Sequence, residues 1–277
     1  MRTASPPPSE TDVRRALDVV IDPELDEPIT ELGFVRSVAV EQDGDELRIE
    51  VHLRLPTSFC APNFAYLMAS DAKDAVAPLA GGGAVVVELD DHHDSDLINR
   101  GLAADAGYRG TFGHEAESDL DELRQTFRRK AHTAAMERAL TALLRARPDL
   151  DEADVGTVVL ADLPDDAATE SLLRRRAVLG LTDQPQSPVL VDDHGRTYER
   201  DRVPLALRRA RSTRISVDGN AHFCRGLLRT RYPGAERDQS PRALGAEPAD
   251  RFYDPTFVPV TAQTRSPGPT PAKEFQP

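Results

Sequence analysis

The residue best suited to chemistry in this chain is a cysteine that lies between a strand-like and a helix-like pattern. The segment over residues 56–63 reads PTSFCAPN and contains Cys60, one of only two cysteines. At a helix start, unpaired backbone N–H groups and the positive end of the helix dipole stabilise a thiolate, the form that binds metals and attacks electrophiles. Cys60 is therefore the first candidate functional residue. The alternative is an inert, packed thiol, because free cysteine is among the most buried residue types.

The elements that precede Cys60 are predicted from hydrophobic spacing. Apolar residues from Val13 to Ile21 recur at helical intervals after a capping pattern of Ser9 and Asp12. The Asp-Pro pair at 22–23 ends this helix, because proline disfavours helical geometry in the residue before it. Residues 22–28, which read DPELDEP, are then an acidic loop.

Two strands and a second helix are predicted to hold the cysteine segment in place. A strand over 34–40 and an alternating run over 47–55 flank an Asp-Gly turn, which predicts a β-hairpin with His52 on its polar face. Apolar residues from Phe64 to Leu79 predict the helix after Cys60. Residues 85–89 predict a third strand, and a short helical piece follows near 94–102.

The triple glycine at 81–83 is predicted to be a plain turn between the second helix and the third strand. A phosphate-binding loop would instead follow a strand and open a helix. The first domain, residues 10–105, is thus predicted as a small α/β unit of the order helix–strand–strand–helix–strand.

The rest of the chain is predicted to be a second, mixed α/β region and a tail, so the fold class is α+β. Residues 106–232 contain helical patterns at 115–147, 167–179 and 221–231, a strand pattern at 155–160, a hairpin pattern over 189–198, and a strand with a turn at 215–220. Residues 1–9 and 233–277 are proline-rich and lack periodic apolar spacing, so both are predicted to be disordered.

Charge and composition exclude several classes of function. The net charge of −13 disfavours non-specific binding to nucleic acid or to an anionic membrane, since both depend on basic surface. No apolar run approaches the roughly 20 residues that cross a bilayer, and the N-terminus has no apolar region typical of a secretory signal. Two distant cysteines are not a disulfide framework, so a reducing cytoplasm is the expected location.

Four short motifs, in order, resemble the MIP18 family of iron–sulfur cluster assembly proteins, also called the domain-of-unknown-function 59 or SufT-like group. They are DPE at 22–24, ITELG at 29–33, TSFC at 57–60 and HDSDLI at 93–98. The resemblance covers residues 10–105 and implies a non-enzymatic assembly or maturation factor. Its implied site consists of Cys60, Asp22, Glu24 and Thr57.

The implied cofactor is transient iron or an iron–sulfur cluster, because thiolates are the usual ligands of such clusters. One cysteine cannot complete the ligand set, so His92 and His93 are further candidate metal ligands, and a second subunit or a client thiol is an alternative source. The implied partners are assembly proteins and a client metalloprotein, with a multicomponent oxygenase as the client class.

The chain departs from the family pattern in three places. Members commonly have Cys-Pro where this chain has Cys60-Ala61-Pro62, and an aromatic residue is usual where His92-His93 stands. The chain also continues for some 130 residues that small members lack.

Two other functions remain open from the residues themselves. One is an adaptor that docks client and assembly proteins without holding a cluster. The other is a cysteine hydrolase or transferase with Cys60 as nucleophile, although no protease or thioesterase motif supports it. Cys224 follows His222 at a spacing that a helix splays apart, so apolar packing of Cys224 is predicted instead of a metal-binding pair.

Overall fold

The computed structural model describes residues 6–44, 46–113 and 120–240, and it is mixed α/β, with 56% helix and 14% strand. The predicted fold class is thereby confirmed. No helix in the described ranges is long and apolar enough to cross a membrane. The N-terminal elements are α1 (Glu10–Leu17), β1 (Ile21–Asp22), β2 (Glu27–Pro28), β3 (Val35–Asp43), β4 (Glu46–Arg54), α2 (Pro62–Val76), β5 (Ala84–Asp90) and α3 (Ser95–Ala103).

The predicted three-stranded sheet is present and carries one buried face. Its strand order is β3-β4-β5, with β3 and β4 antiparallel and β4 and β5 parallel. In the alternating run, Ile49, Val51 and Leu53 are at most 1% exposed, and Leu47 packs at the edge of the same core. The helix α2 connects the two parallel strands and packs on this face. The sheet and the helix α2 therefore fix the two ends of the loop that contains Cys60.

The first helix is shorter than predicted, and its neighbour is a tight hairpin instead of an open loop. The helix α1 ends at Leu17, and Ile21 pairs with Pro28 in the antiparallel hairpin β1–β2. The reason lies in the acidic segment, where the Asp22 carboxylate accepts backbone N–H groups from residues two and three positions ahead. Such side-chain turns compete with helix and favour a reversal of the chain.

The C-terminal region is helical where the structure describes it. Its elements are α4 (Gly107–Phe112), α5 (Leu120–Ala146), α6 (Ala167–Val178) and α7 (Val203–Arg231), with short 3-10 turns between them. The helices α5, α6 and α7 enclose a second apolar core that is built mostly from alanine, leucine and valine. The helices predicted at 115–147 and 167–179 are confirmed over their described residues.

Three local strand predictions in this region are wrong. Within 155–160, residues 155–157 and 160 lie in 3-10 turns and Val159 forms only an isolated bridge with Pro188, and the segment 189–198 contains no strand. Residues 215–217 lie in the middle of α7. There, Asp218 pairs with Arg214 one turn earlier and with Arg138 of α5, at 3.0 and 2.8 Å. The Arg214–Asp218 pair has the i, i+4 spacing of a helix and the Arg138–Asp218 pair ties the segment to α5, so these contacts outweigh the local β propensity.

The last part of α7 and the residues after it pack on the N-terminal domain. Ala221 and Leu228 of α7 belong to the same core as the sheet. The segment 233–277, predicted to be disordered, begins with an ordered turn in which Ala235 is fully buried. Gln239 Nε2 donates to the carbonyl of Leu32 at 3.2 Å. Residues 241–277 lie outside the described residues.

Candidate functional site

Cys60 lies where the sequence predicts it, immediately before the helix α2. Its thiol is half-buried, and its Sγ lies 3.4 Å from Oγ1 of Thr57. The helix begins at Pro62, after an Ala61 cap that offers no side-chain hydrogen bond, and its first turn has no acidic residue. The positive end of α2 is therefore not neutralised locally, which favours an anionic ligand beside it.

Two histidines hold the cysteine loop from the side of β5. The Nδ1 of His92 accepts the backbone N–H of Asp94 at 3.1 Å, so Nε2 carries the proton and donates to the Cys60 carbonyl at 2.8 Å. His92 is buried, and both of its ring nitrogens are occupied. The backbone N–H of His93 donates to the Ser58 carbonyl at 2.9 Å. In this arrangement, His92 positions the loop and has no nitrogen left for a metal.

An aromatic side chain stands beside the cysteine on the outer surface. The Phe59 side chain is 79% exposed, and its ring lies 5.8 Å from the ring of His93. Burial of a phenylalanine contributes a large hydrophobic stabilisation. An exposed one next to a reactive thiol is a surface that a partner protein could cover.

Asp22 and Glu24 of the β1–β2 turn differ in burial. Asp22 is buried, and its Oδ1 accepts the N–H groups of Glu24 and Leu25, both at 2.9 Å. Burial raises the pKa of the Asp22 carboxyl to about 7, and these two hydrogen bonds oppose the rise. Glu24 is exposed, and its Oε1 accepts Nδ2 of Asn220 from α7 at 3.1 Å. The hairpin is therefore in direct contact with the C-terminal helix.

Cys224 was predicted to be packed among apolar residues and was not assigned to the site. Like Cys60, it packs against the N-terminal core cluster. Desolvation raises the pKa of the Cys224 thiol to about 12, and the electrostatic fields of Asp22, Cys60 and Glu24 add to the rise. Three of the four site residues implied by the resemblance, all except Thr57, thus act on this thiol. No motif spacing links Cys224 to them, because the fold of α7 alone brings them together.

A second cluster of ionisable groups lies on the outer face of the sheet. His52, Glu88 and Asp90 each offer a ligand atom, all within 4.8 Å of one another, the only such group of three or more in the described ranges. The Nδ1 of His52 lies 2.9 Å from Asp90, and its Nε2 lies 3.0 Å from Glu50. Hydrogen bonds to Asp90 and then Glu50 raise the pKa of His52.

This sheet cluster is better described as an ion-pair network than as a metal centre. The second charge partner of Asp90 is Arg36, whose Nη1 lies 2.8 Å from a carboxylate oxygen. Both ring nitrogens of His52 already contact carboxylates, so a cation would have to displace these bonds and approach Arg36. The sequence had assigned His52 to the polar face of its strand, where the structure places it.

The chain is also similar to a known family over its N-terminal domain. Residues 10–89 match the family described as iron-sulfur cluster assembly protein. No curated protein and no solved structure gives a significant match. The matched segment contains Asp22, Glu24, Thr57 and Cys60 and ends within β5, before the long C-terminal extension. The segment that carries the cysteine loop and the acidic hairpin is thus similar to the MIP18-like iron–sulfur cluster assembly family.

Proposed function

We propose that this protein binds iron or an iron–sulfur cluster transiently at Cys60 and passes it to a client metalloprotein. The observation that carries the proposal is the half-exposed Cys60 thiol at the unneutralised start of α2, within a segment similar to the iron–sulfur assembly family. A thiol in this position can lose its proton to form an iron–thiolate bond and remains open on one side for exchange.

The neighbouring residues have distinct roles in this proposal. The Thr57 hydroxyl lies 3.4 Å from the Cys60 sulfur and shares a hydrogen bond with it, which orients the sulfur. His92 keeps the loop in place through the Cys60 carbonyl. Asp22 shapes the hairpin, and the exposed Glu24 is a candidate oxygen ligand.

Transfer follows from the incomplete ligand set. A thiolate of the client displaces Cys60 from the iron, and Cys60 takes up a proton as it leaves. The partners are assembly proteins that supply the cluster and a client that receives it, with a multicomponent oxygenase as the proposed client class. A second copy of the chain is an additional source of ligands, and a reducing cytoplasm is the compartment that suits two free thiols.

A non-catalytic adaptor is the second candidate, and the exposed Phe59 favours it. An aromatic ring that is 79% exposed at the rim of the cysteine loop suits docking by contact alone. A cysteine hydrolase has less support. Among the described residues, the hydrogen-bond partner of the Cys60 sulfur is Thr57, whereas nucleophilic cysteines are activated by a histidine base.

Anaerobic reconstitution tests the proposal. Wild-type protein incubated with ferrous iron and sulfide, then desalted, is expected to keep a visible absorption band that Cys60→Ser removes. A Ser58→Ala protein, altered in the same loop but with both thiols intact, should keep the band. A band of full intensity in Cys60→Ser would contradict a carrier role for this residue.

A cellular assay separates the carrier from the adaptor. Cells that lack the protein are complemented with wild type, Cys60→Ser or Phe59→Ala, and the client enzyme activity is measured. The carrier role predicts that Cys60→Ser fails to restore activity. Restoration by Cys60→Ser together with failure of Phe59→Ala would identify the adaptor.

A further inference from the structure

We infer that Cys224 is a second thiol ligand of this site, so that the iron or cluster is held between the α2 loop and the C-terminal helix α7. The inference rests on the proposed function and adds a residue outside the segment that matches the family. It assigns a role to the C-terminal extension, which supplies part of the binding site.

The first argument is the direction of Cys224 on its helix. Residues 221, 224, 225 and 228 share one face of α7, because positions three and four apart lie above one another on a helix. Ala221 and Leu228 on this face are 2% and 0% exposed in the N-terminal core. Phe223, which points away from that face, is 65% exposed. The Cys224 thiol is therefore directed at the N-terminal domain.

The second argument is that α7 is anchored to the two predicted site loops on both sides of Cys224. One turn before it, Asn220 donates to Glu24 of the acidic hairpin at 3.1 Å. Two turns after it, Nη1 of Arg231 donates to the carbonyl of Leu55, just before the cysteine segment, at 3.1 Å. Cys224 lies between these anchors and packs against the same core cluster as Cys60.

The third argument is the chemistry of the surroundings. The helix reaches the exposed Glu24 carboxylate through Asn220, and the half-buried Cys60 thiol packs against the same core cluster as Cys224. On binding, each thiol forms a bond to iron and releases its proton to solvent, so binding becomes tighter as pH rises. Two thiols suit iron or a cluster better than one.

The experiment compares full-length variants reconstituted anaerobically with ferrous iron and sulfide. Both Cys60→Ser and Cys224→Ser are expected to lose the visible band and to release iron to a chelator at least about 10-fold faster, the scale seen when even an outer-shell partner is removed. Phe223→Ala changes the adjacent exposed residue of the same helix and should behave as wild type. The unfolding midpoint of each metal-free variant is measured to confirm that it folds.

The outcomes separate this inference from the proposed function. Loss of the band in Cys60→Ser with full retention in Cys224→Ser overturns the role of Cys224 and leaves the Cys60 carrier intact. Absence of a band in the wild type overturns both. A band that survives in each single variant and disappears only in the double variant also overturns the shared site.

A measurement on the unmutated chain tests the inference even if the Cys224→Ser protein fails to fold. Reconstituted and metal-free wild type are alkylated with iodoacetamide, and the peptides that contain each cysteine are quantified by mass spectrometry. Both thiols are expected to be protected in the reconstituted protein. Alkylation of Cys224 at equal rates in both samples, while Cys60 is protected, overturns the inference.

Discussion

The guanidinium of Arg225 lies 2.5 Å from the carboxylate of Glu27, and both side chains are almost fully buried. This ion pair connects α7 to the short hairpin that also carries Asp22. Arg225 is the residue directly after Cys224, so the pair fixes the helix at the point where its thiol approaches the site. The C-terminal extension is therefore fastened to the N-terminal domain by charge as well as by apolar packing.

Replacement of Arg225 by methionine is expected to lower the free energy of unfolding by about 3–5 kcal/mol, because it leaves the carboxylate of Glu27 buried without this partner. Urea unfolding followed by circular dichroism measures the loss. Arg208→Met, an exposed arginine of the same helix, serves as the control and should change stability by less than about 0.5 kcal/mol. Equal, small losses in the two variants would contradict a structural role for the pair.

His132 is expected to make the protein less stable in mild acid. The side chain is 1% exposed in α5. Burial, followed by the charges of Arg176 and Arg175, lowers its pKa from 6.5 to about 4. The unfolded chain then binds a proton between pH 6.5 and 4 that the folded protein does not bind, so the free energy of unfolding falls as pH falls through this window, by up to about 3 kcal/mol.

The variant His132→Leu should remove this loss. The Nε2 atom of His132 has no hydrogen-bond partner among the described residues, so replacement by leucine removes no hydrogen bond at that atom. Unfolding free energies of wild type and His132→Leu are compared at pH 7 and pH 5, with His194→Gln, at an exposed position, as the control. A stability difference between wild type and His132→Leu that is the same at both pH values would contradict the prediction.

Two glycines are expected to respond to alanine with opposite signs. At Gly83, a Cβ atom would collide with the backbone carbonyl of Leu47, so Gly83→Ala should destabilise the protein by more than about 1 kcal/mol. At Gly219 of α7 there is open space, and alanine is the better helix former by about 0.5–1 kcal/mol. Thermal unfolding of the two variants checks the signs, and a stabilised Gly83→Ala protein would show that the turn is looser than described.

Phe59→Ala is expected to weaken binding to the client or assembly partner without changing stability. The ring is 79% exposed, so its removal costs the folded chain little, whereas a covered aromatic residue often contributes at least 2 kcal/mol to an interface. Affinity is measured by calorimetry with the purified partner. Ile215→Ala, on the exposed side of α7, is the matched control, and equal affinities for wild type and Phe59→Ala would exclude this contact.

The N-terminal fold could be predicted from sequence because its signals are local. The alternation from Leu47 to Leu55 has period two, and only one face of the sheet is buried. The pattern therefore predicts a strand without knowledge of the partner strands. The position of Cys60 at a helix start follows from the Pro62 that opens α2. The end of α1 was harder to predict. The side chain of Asp22 forms a turn by accepting backbone N–H groups, and the spacing of apolar residues gives no information about such hydrogen bonds.

The structure of the C-terminal half was harder to predict, because the contacts that determine it join residues that are distant in sequence. Residues 215–217 look like a strand in isolation, yet Asp218 pairs with Arg138 of another helix and keeps the segment helical. The same holds for the site. The proximity of Cys224 to Cys60 depends on where α7 crosses the first domain, and only the assembled fold contains that information.

The contact between α7 and the first domain has a consequence for the newly made chain. A ribosome delivers the acidic hairpin and Cys60 long before it delivers the helix that carries Cys224, and Arg231 reaches the Leu55 carbonyl only after α7 has been synthesised. A prematurely terminated product would display the N-terminal domain with this face bare. The order of synthesis thus leaves the face around the acidic hairpin and Cys60 uncovered until α7 has been made.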